Sequence, residues 1–263
     1  MKKFLAANRK FILFIVLGYV IISLVLNYVN NSLTNELSDK TWIHRVNSTE
    51  KLKEVAQKNY NGIELDVVFL EGSNTFDVNH PPAISIDLSL ESYLRSLDSF
   101  DRTRFWIDFK NLSASNTFAA VSRFDSICNI LKINKKRFII ESDKPKFLTT
   151  FQNSGYKTSF YLPTSLCNTT PDEFEKAFNL VQNDVRNYKT DYLSLDKCNY
   201  QLITEKFPGR AKLLWSFPDR GRLVLNPLRL LKMPEQIALK RKLVQDENVE
   251  AVLFAYNAKF GNR

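Results

Sequence analysis

The chain alternates short apolar runs with segments whose apolar residues recur at helical spacing. This alternation is typical of βα units that build a parallel sheet. Eight runs are predicted strands: Trp42–His44, Gly62–Phe69, Phe105–Phe109, Phe138–Glu141, Thr158–Leu162, Tyr192–Asp196, Lys212–Phe217 and Ala251–Tyr256. Eight strands of this kind predict an α/β fold, the closed TIM (β/α)8 barrel.

The segments between the strands predict helices, each with one buried face. Leu90, Tyr93 and Leu94 recur at helical spacing after Ser89, a good capping residue, and Thr170 precedes another strong helix start. The long segment 217–233 contains proline, glycine and several arginines and predicts a lid or a rim. About seven residues follow the last strand, so we expect the closing helix to be short or absent.

Residues 11–29 form an apolar segment without charge, close to the ~20 residues that a membrane-spanning helix needs. A cleaved signal peptide is the alternative, but the residues that follow lack a small-x-small cleavage pattern. We therefore expect an uncleaved signal anchor between a basic tail (1–10) and a polar, aperiodic stalk (30–40), followed by the barrel domain (41–263). Because the basic residues precede the span, the positive-inside tendency predicts a single-pass protein with a cytoplasmic N-terminus and an extracytoplasmic barrel.

Composition changes this picture little. With 44% hydrophobic and 13% aromatic residues the chain can bury a core, which excludes disorder as its main state. The net charge is +9, but Lys2, Lys3, Arg9 and Lys10 precede the predicted span. The remaining excess is not gathered into a basic strip with interleaved aromatic residues, so we expect no nucleic-acid partner.

The three cysteines, Cys128, Cys167 and Cys198, do not have the paired spacing of a zinc or thioredoxin-like site. Cys167 and Cys198 each follow a predicted strand, so a barrel would place them on adjacent loops. An oxidising compartment would permit one disulfide between them, or leave both thiols free.

Candidate chemistry is concentrated on two neighbouring strands. In the strand that contains Glu64 and Asp66, the period of two sends both carboxylates to one face and the apolar residues to the other. Asp108 and Lys110 share a face of the next long strand in the same way. In a barrel these side chains point inward at the C-terminal mouth, where active sites lie.

Three carboxylates that face one enclosed space repel each other unless a cation joins them. Oxygen ligands without cysteine suit a hard ion, so Glu64, Asp66 and Asp108 predict a site for Mg²⁺ or Ca²⁺, with Mn²⁺ as an alternative. The alternative interpretation is a set of ordinary solvated charges at strand ends.

The chain has two histidines, His44 and His80, and each lies beside a predicted strand end. A lone histidine is more often structural or merely exposed than catalytic. Glu141, Asp196 and Trp215 are secondary candidates because each ends or lies in a strand that reaches the mouth, where packing or rim solvation explains them equally well.

Several motifs together resemble the glycerophosphodiester phosphodiesterase superfamily of TIM barrels, and within it the menorin-type branch. They are His44-Arg45 with Asn47, Glu64-x-Asp66, His80-Pro81-Pro82 and Asp108-Phe109-Lys110. The resemblance covers residues 41 to about 112, and the later strands agree only in pattern.

The resemblance implies a metal held by Glu64, Asp66 and Asp108 and acid–base catalysis by His44 and His80. It further implies that Arg45 and Asn47 bind the substrate phosphate and that Lys110 takes part in catalysis. The expected substrate is a glycerophosphodiester, a phospholipid headgroup or a phosphate-linked glycan.

Three positions depart from the usual phosphodiesterase pattern. Val46 and Pro81 replace a glycine and an acidic residue, and Asp108 is one methylene shorter than the usual glutamate. The alternative function is therefore a catalytically silent barrel that binds an anionic ligand or a protein partner at the cell surface.

Overall fold

The computed structural model describes residues 2–58, 60–100, 103–167, 169–217 and 224–256. The chain divides into two compact units, one made of residues 1–38 and 220–247 and the other of residues 39–219 and 248–263. The described α-helices are α1 (Lys2–Glu36), α2 (Thr49–Ala56), α3 (Leu90–Arg95), α4 (Thr117–Leu131), α5 (Pro145–Asn153), α6 (Pro171–Asn187), α7 (Tyr200–Lys206), α8 (Pro227–Leu231) and α9 (Met233–Gln245).

The larger unit is a closed barrel of parallel strands. The described strands are β1 (Thr41–Ile43), β2 (Gly62–Leu70), β3 (Thr75–Asp77), β4 (Arg104–Phe109), β5 (Phe138–Ser142), β6 (Lys157–Tyr161), β7 (Tyr192–Asp196), β8 (Ala211–Phe217) and β9 (Val249–Phe254). The sheet order is β1-β9-β8-β7-β6-β5-β4-β2-β3, and the β1–β2 pairing closes it. The predicted TIM barrel is confirmed, with every predicted strand end within two residues of the observed one.

One strand was not predicted. Strand β3 pairs antiparallel with the end of β2 and forms a hairpin outside the closed barrel. Its three residues follow a turn in which Asn74 has a left-handed φ of 51°. A strand this short has too few residues for a recognisable alternation.

Capping residues determine where the helices of the barrel begin. The side chain of Ser48 accepts a hydrogen bond from Lys51 N at the start of α2, and Ser89 accepts one from Ser92 N at the start of α3. At α6 the backbone N–H of Thr170 donates to Glu173 Oε2 at 3.2 Å. These contacts satisfy backbone groups that the first helical turn leaves unpaired.

The barrel interior below the mouth is filled by apolar side chains from the strands: Trp42, Trp106, Ile139, Leu213, Ala251 and Leu253. The rings of Trp42 and Trp106 meet edge to face, with centroids 6.5 Å apart. A Cβ atom at Gly62 would lie 2.4 Å from the Trp42 ring, so this position has room only for glycine. The opposite faces of the strands pack against the helices in a second, larger core.

In the smaller unit α1 packs against α8 and α9 through Leu33, Leu230, Met233 and Ile237. Polar contacts reinforce the packing, since Lys240 Nζ lies 2.8 Å from Asn30 Oδ1 and 2.7 Å from Thr34 Oγ1. Residues 30–36, expected to be part of an aperiodic stalk, are therefore helical, because they supply one face of this packing. Helix α1 includes one candidate membrane span, Phe11–Glu36, by length and composition.

Two other expectations fall partly outside the described residues. Of the segment 217–233, predicted to be a lid or a rim, residues 218–223 lie outside the described part and 227–231 form α8 in the smaller unit. Asn226 begins that helix by accepting from Leu228 N and Arg229 N. The short closing segment falls on residues 257–263, which also lie outside the described part.

Candidate active site

The register of the parallel strands places one row of polar side chains across the mouth. Asp66 on β2 lies opposite Asp108 on β4, and Asp108 lies opposite Glu141 on β5. Glu141 in turn lies opposite Ser159 on β6. Because paired positions in a sheet point to the same face, this row extends over the aromatic layer formed by Trp42 and Trp106.

Three carboxylates converge at one end of this row. Oxygen atoms of Glu64, Asp66 and Asp108 all lie within 4.8 Å of one another. Burial raises the pKa of Glu64 well above its usual value, and the charges of Asp66 and Asp108 add to this effect. Burial and Asp66 also raise the pKa of Asp108, although Lys110 opposes them.

Lys110 supplies positive charge to this cluster. Its Nζ lies 2.8 Å from Asp66 Oδ1 and also contacts Asp108 Oδ2. Burial disfavours the ammonium, but Asp108 and Asp66 outweigh burial and raise the pKa of Lys110. Lys110 therefore stays charged and neutralises part of the carboxylate cluster.

His44 follows β1 and faces the same cluster. Its Nε2 lies 3.7 Å from Glu64 Oε2, and its backbone N–H donates to Phe254 O of β9. Burial lowers the pKa of His44 from 6.5 to about 4, and the positive charge of Arg45 contributes in the same direction. The imidazole is therefore neutral near pH 7 and able to accept a proton.

The turn after His44 is held by groups that point toward the site. Arg45 has a left-handed backbone with a φ of 52°, and its N–H donates to Glu64 Oε2 at 2.6 Å. The buried ammonium of Lys51 donates to the carbonyl oxygens of His44 and Arg45 at 3.1 and 2.9 Å. Sequence reasoning missed Lys51, since a lysine in the first turn of a helix is ordinarily a solvated residue.

His80 lies beside Asp66, on the segment between β3 and α3. Its Nε2 lies 4.0 Å from Asp66 Oδ1 and 3.0 Å from Arg45 Nη2. The Asn79 N–H donates to Asp66 O at 3.1 Å, which ties this segment to β2. Each histidine therefore lies next to one of the carboxylates, and the guanidinium of Arg45 contacts His80.

Asn47 contacts a carboxylate of the cluster. Its Nδ2 donates to Asp66 Oδ2 at 2.7 Å, and its Oδ1 accepts from Asp66 N at 3.0 Å. One hydrogen bond holds the Asp66 carboxylate and the other holds its backbone, so together they orient Asp66. The structure thus places Asn47, expected to bind the phosphate, where it positions Asp66.

Of the secondary candidates, Glu141 lies beside Asp108 in the strand register, whereas Asp196 and Trp215 lie on β7 and β8. Glu141 is buried and accepts from Ser159 Oγ at 3.1 Å, and burial together with Asp108 raises its pKa well above the usual value. Asp196 Oδ1 accepts from Cys198 N at 2.8 Å and so caps the turn after β7. We therefore assign Asp196 a local structural contact.

Trp215 stacks on an aromatic residue that sequence reasoning did not single out. The rings of Trp215 and Tyr161 are nearly parallel, with centroids 5.5 Å apart. Burial raises the pKa of Tyr161 to about 12, and the charges of Glu141 and Asp108 add to this shift. The pair forms an aromatic wall on β6 and β8, next to the polar row.

The loops that follow β6 and β7 are joined by a disulfide between Cys167 and Cys198, whose Cα atoms are 6.0 Å apart. This separation lies within the normal range for a disulfide. The pairing that the sequence left open is therefore formed, and Cys128 is a buried free thiol.

Comparisons with known proteins agree with this architecture. Residues 36–124 match the model of the Menorin N-terminal domain. A glycerophosphodiester phosphodiesterase from Parabacteroides distasonis superposes with a TM-score of 0.51 at 15% identity, covering 82% of this chain and 93% of that one. An Oleispira antarctica phosphodiesterase, solved with the product sn-glycerol-3-phosphate, superposes with a TM-score of 0.52 at 10% identity, covering 82% and 92%.

No curated protein sequence matches the chain significantly. The resemblance to menorin-type, glycerophosphodiester phosphodiesterase-like barrels is confirmed by the family match and by the shared TIM fold. At these identities the solved structures establish the fold and not the reaction.

Proposed function

We propose that this chain is a divalent-metal-dependent phosphodiesterase that acts by histidine acid–base catalysis. One observation carries the proposal: three carboxylates converge to within 4.8 Å of one another, and His44 and His80 lie 3.7 Å from Glu64 and 4.0 Å from Asp66. The Oleispira antarctica enzyme with bound sn-glycerol-3-phosphate has the same fold and supports a phosphodiester as the substrate.

The donor set fits a hard divalent cation. Glu64, Asp66 and Asp108 offer oxygen ligands of the kind that Mg²⁺ and Ca²⁺ prefer, and Mn²⁺ also accepts. Burial raises the pKa of Glu64, and repulsion from Asp66 and Asp108 adds to the shift; a cation would relieve that repulsion. When bound there, the ion would supply charge neutralisation to a phosphoryl oxygen.

The residues around the carboxylates can perform the remaining steps. One histidine accepts the proton of the attacking water or substrate hydroxyl, and the other donates a proton to the oxygen that leaves as the P–O bond breaks. Arg45 and Lys110 carry the positive charges that would bind phosphate oxygens. Asn47 and Lys51 act through their neighbours, since they orient Asp66 and the turn at Arg45.

We further propose that the apolar helix α1 anchors the protein in a membrane, with a cytoplasmic N-terminus and an extracytoplasmic barrel. The candidate span Phe11–Glu36 and the basic residues that precede it support this orientation. The disulfide between Cys167 and Cys198 is consistent with an oxidising compartment.

The test is an assay of the full chain in nanodiscs against a panel of phosphodiesters with Mg²⁺, Ca²⁺ or Mn²⁺. We expect metal-dependent turnover that Glu64→Gln and His44→Gln each lower by at least about 100-fold. The matched control is Glu175→Gln, because Glu175 is exposed on α6. Turnover that survives Glu64→Gln and His44→Gln would contradict the proposed site.

One observation favours a second candidate, the catalytically silent barrel that binds an anionic ligand. Lys110 contacts two of the three carboxylates and supplies a built-in countercharge. In this case no diester is turned over, and an anionic ligand raises the melting temperature of the wild type. Lys110→Met would remove the stabilisation by the anionic ligand. If the site instead binds a metal without turnover, Glu64→Gln would remove the metal-dependent stabilisation.

A further inference from the structure

A cavity of about 410 Å³ opens beside the candidate active site. Two of the residues that line it also contact the carboxylate cluster. His80 Nε2 lies 4.0 Å from Asp66 Oδ1, and Asn47 binds the other Asp66 oxygen at 2.7 Å. A phosphodiester held between the histidines would therefore have one of its ester groups next to this cavity.

Aliphatic side chains form much of the cavity wall: Val78, Ala83, Ile84 and Ile86. Val78 is buried, whereas Ile84 is 93% exposed and Ile86 is 47% exposed. A single exposed isoleucine is ordinary on a protein surface. Two that line the same cavity beside a polar site form an apolar surface that a ligand can cover.

The segment that carries these residues is tied at both ends. The Val78 N–H donates to Leu88 O at 2.8 Å, and the Ala83 N–H donates to His80 O at 3.0 Å. Asn79 is joined to the backbone of Asp66, as described above. These hydrogen bonds tie the base of the segment 78–88 to the strand that carries Asp66, so the cavity lies next to the carboxylates.

We propose that this cavity binds an aliphatic chain of the phosphodiester substrate, so that the substrate class is a lipid phosphodiester. This inference rests on the proposed function and narrows its substrate. A sugar or polyol would need several hydrogen-bonding groups, whereas alkyl side chains form most of the wall. A volume of about 410 Å³ suits a small-molecule group and is larger than a methyl ester requires.

The test compares two soluble chromogenic substrates, methyl and n-butyl 4-nitrophenyl phosphodiester, on the full chain in nanodiscs. We expect kcat/KM to be at least about ten-fold higher for the butyl diester, since each methylene in an apolar pocket contributes strongly to specificity. Ile84→Ser should lower kcat/KM for the butyl diester and so reduce the ratio. The exposure of Ile84 means that the variant can fold normally.

Ile130→Ser is the matched control, because Ile130 is 52% exposed on α4 and does not line this cavity. A wild-type ratio near one would overturn the proposal, as would a ratio that Ile84→Ser leaves unchanged. If Ile84→Ser lowers turnover only for lipids presented in vesicles and not for the soluble diesters, Ile84 contacts the bilayer. This result would also overturn the proposal.

A binding measurement separates this inference from the proposed reaction. Titration calorimetry would compare n-butyl phosphate with methyl phosphate on the wild type and on Ile84→Ser. If no diester is turned over, tighter binding of the butyl compound that is lost in Ile84→Ser would still support the apolar site, and the proposed function alone would fail. Equal affinity for both compounds would overturn the apolar site.

Discussion

The two sides of the barrel mouth are built from different kinds of interaction. On the side of β1, β2 and β4, carboxylates, histidines and cations contact one another, and burial together with neighbouring charges shifts the pKa of Glu64, Asp108 and Lys110. On the side of β6, β7 and β8, a disulfide joins two loops and two aromatic rings stack. Between them stands β5, whose Glu141 is buried.

This contrast assigns different tasks to the two sides. Coupled ionisable groups are typical of sites where protons and phosphate charge are handled. Covalent and aromatic contacts fix shape and hold no net charge. We therefore expect substitutions on the first side to change chemistry and those on the second to change stability, and the following predictions test that division.

The largest expected effect comes from the second side. Cys167→Ser combined with Cys198→Ser opens a cross-link that spans 31 residues, so the free energy of unfolding should fall by about 2–4 kcal/mol. Turnover below the melting temperature should stay within about two-fold of the wild type. Denaturant titration and a phosphodiester assay measure the two quantities.

Cys128→Ser is the control for this pair, because Cys128 is buried and unpaired and its loss opens no cross-link. A large loss of turnover at unchanged stability in the double variant would contradict the division between the two sides.

The next effect is expected at Asn47 on the first side. Asn47→Ala removes both hydrogen bonds to Asp66, so metal affinity or turnover should fall by about 10–100-fold. Asn116→Ala is matched, because this buried amide also makes two hydrogen bonds, to the backbone of Asn111 and Ser113. Equal turnover losses in the two variants would show that Asn47 has only a structural role.

A smaller effect concerns acid stability. The pKa of His44 is lowered from 6.5 to about 4, so between these pH values the unfolded state takes up a proton that the folded state does not. The stabilisation is present above pH 6.5 and is lost as the pH falls toward 4. Relative to His44→Gln, the wild type should lose about 1 kcal/mol over this window, a figure reduced for the partial exposure of the ring.

Chemical denaturation at pH 7 and pH 4 gives the required free energies for wild type and His44→Gln. If the difference between the two proteins is the same at both pH values, the neutral buried state assigned to His44 is incorrect.

The smallest effect is expected at Glu141, on the strand between the two sides. Burial and the charge of Asp108 raise the pKa of Glu141, which favours the neutral carboxyl group, a close isostere of the glutamine amide. Glu141→Gln should therefore alter turnover by less than about three-fold and leave the melting temperature unchanged. A large loss in this isosteric variant would show that an ionised Glu141 takes part in the chemistry.

The barrel and the carboxylate row could be predicted because both follow from a period of two along β2 and β4. Strand periodicity sends Glu64 and Asp66 to one face, and parallel pairing aligns Asp66 with Asp108. The Cys167–Cys198 pairing was recognised as one of two outcomes, since adjacent loops bring the thiols near each other without fixing their distance.

Other features were beyond the sequence because they depend on contacts between distant elements. The ammonium of Lys51 folds back on the turn at Arg45, and the neighbouring sequence does not distinguish Lys51 from a surface lysine. The polar residues 30–36 become helical because Asn30 and Thr34 meet Lys240, more than 200 positions later. Tyr161 stacks on Trp215 only in the folded barrel, where β6 and β8 both end at the mouth.

The aromatic layer beneath the carboxylates determines from which side reactants reach the candidate site. Trp42 and Trp106, packed over Gly62, close the interior below the site in the described part of the chain. Within the described residues the site is therefore closed from below, so reactants do not pass through the barrel interior. If the proposed reaction takes place there, product and substrate bind the same site of the free enzyme, so we expect product inhibition to be competitive with substrate.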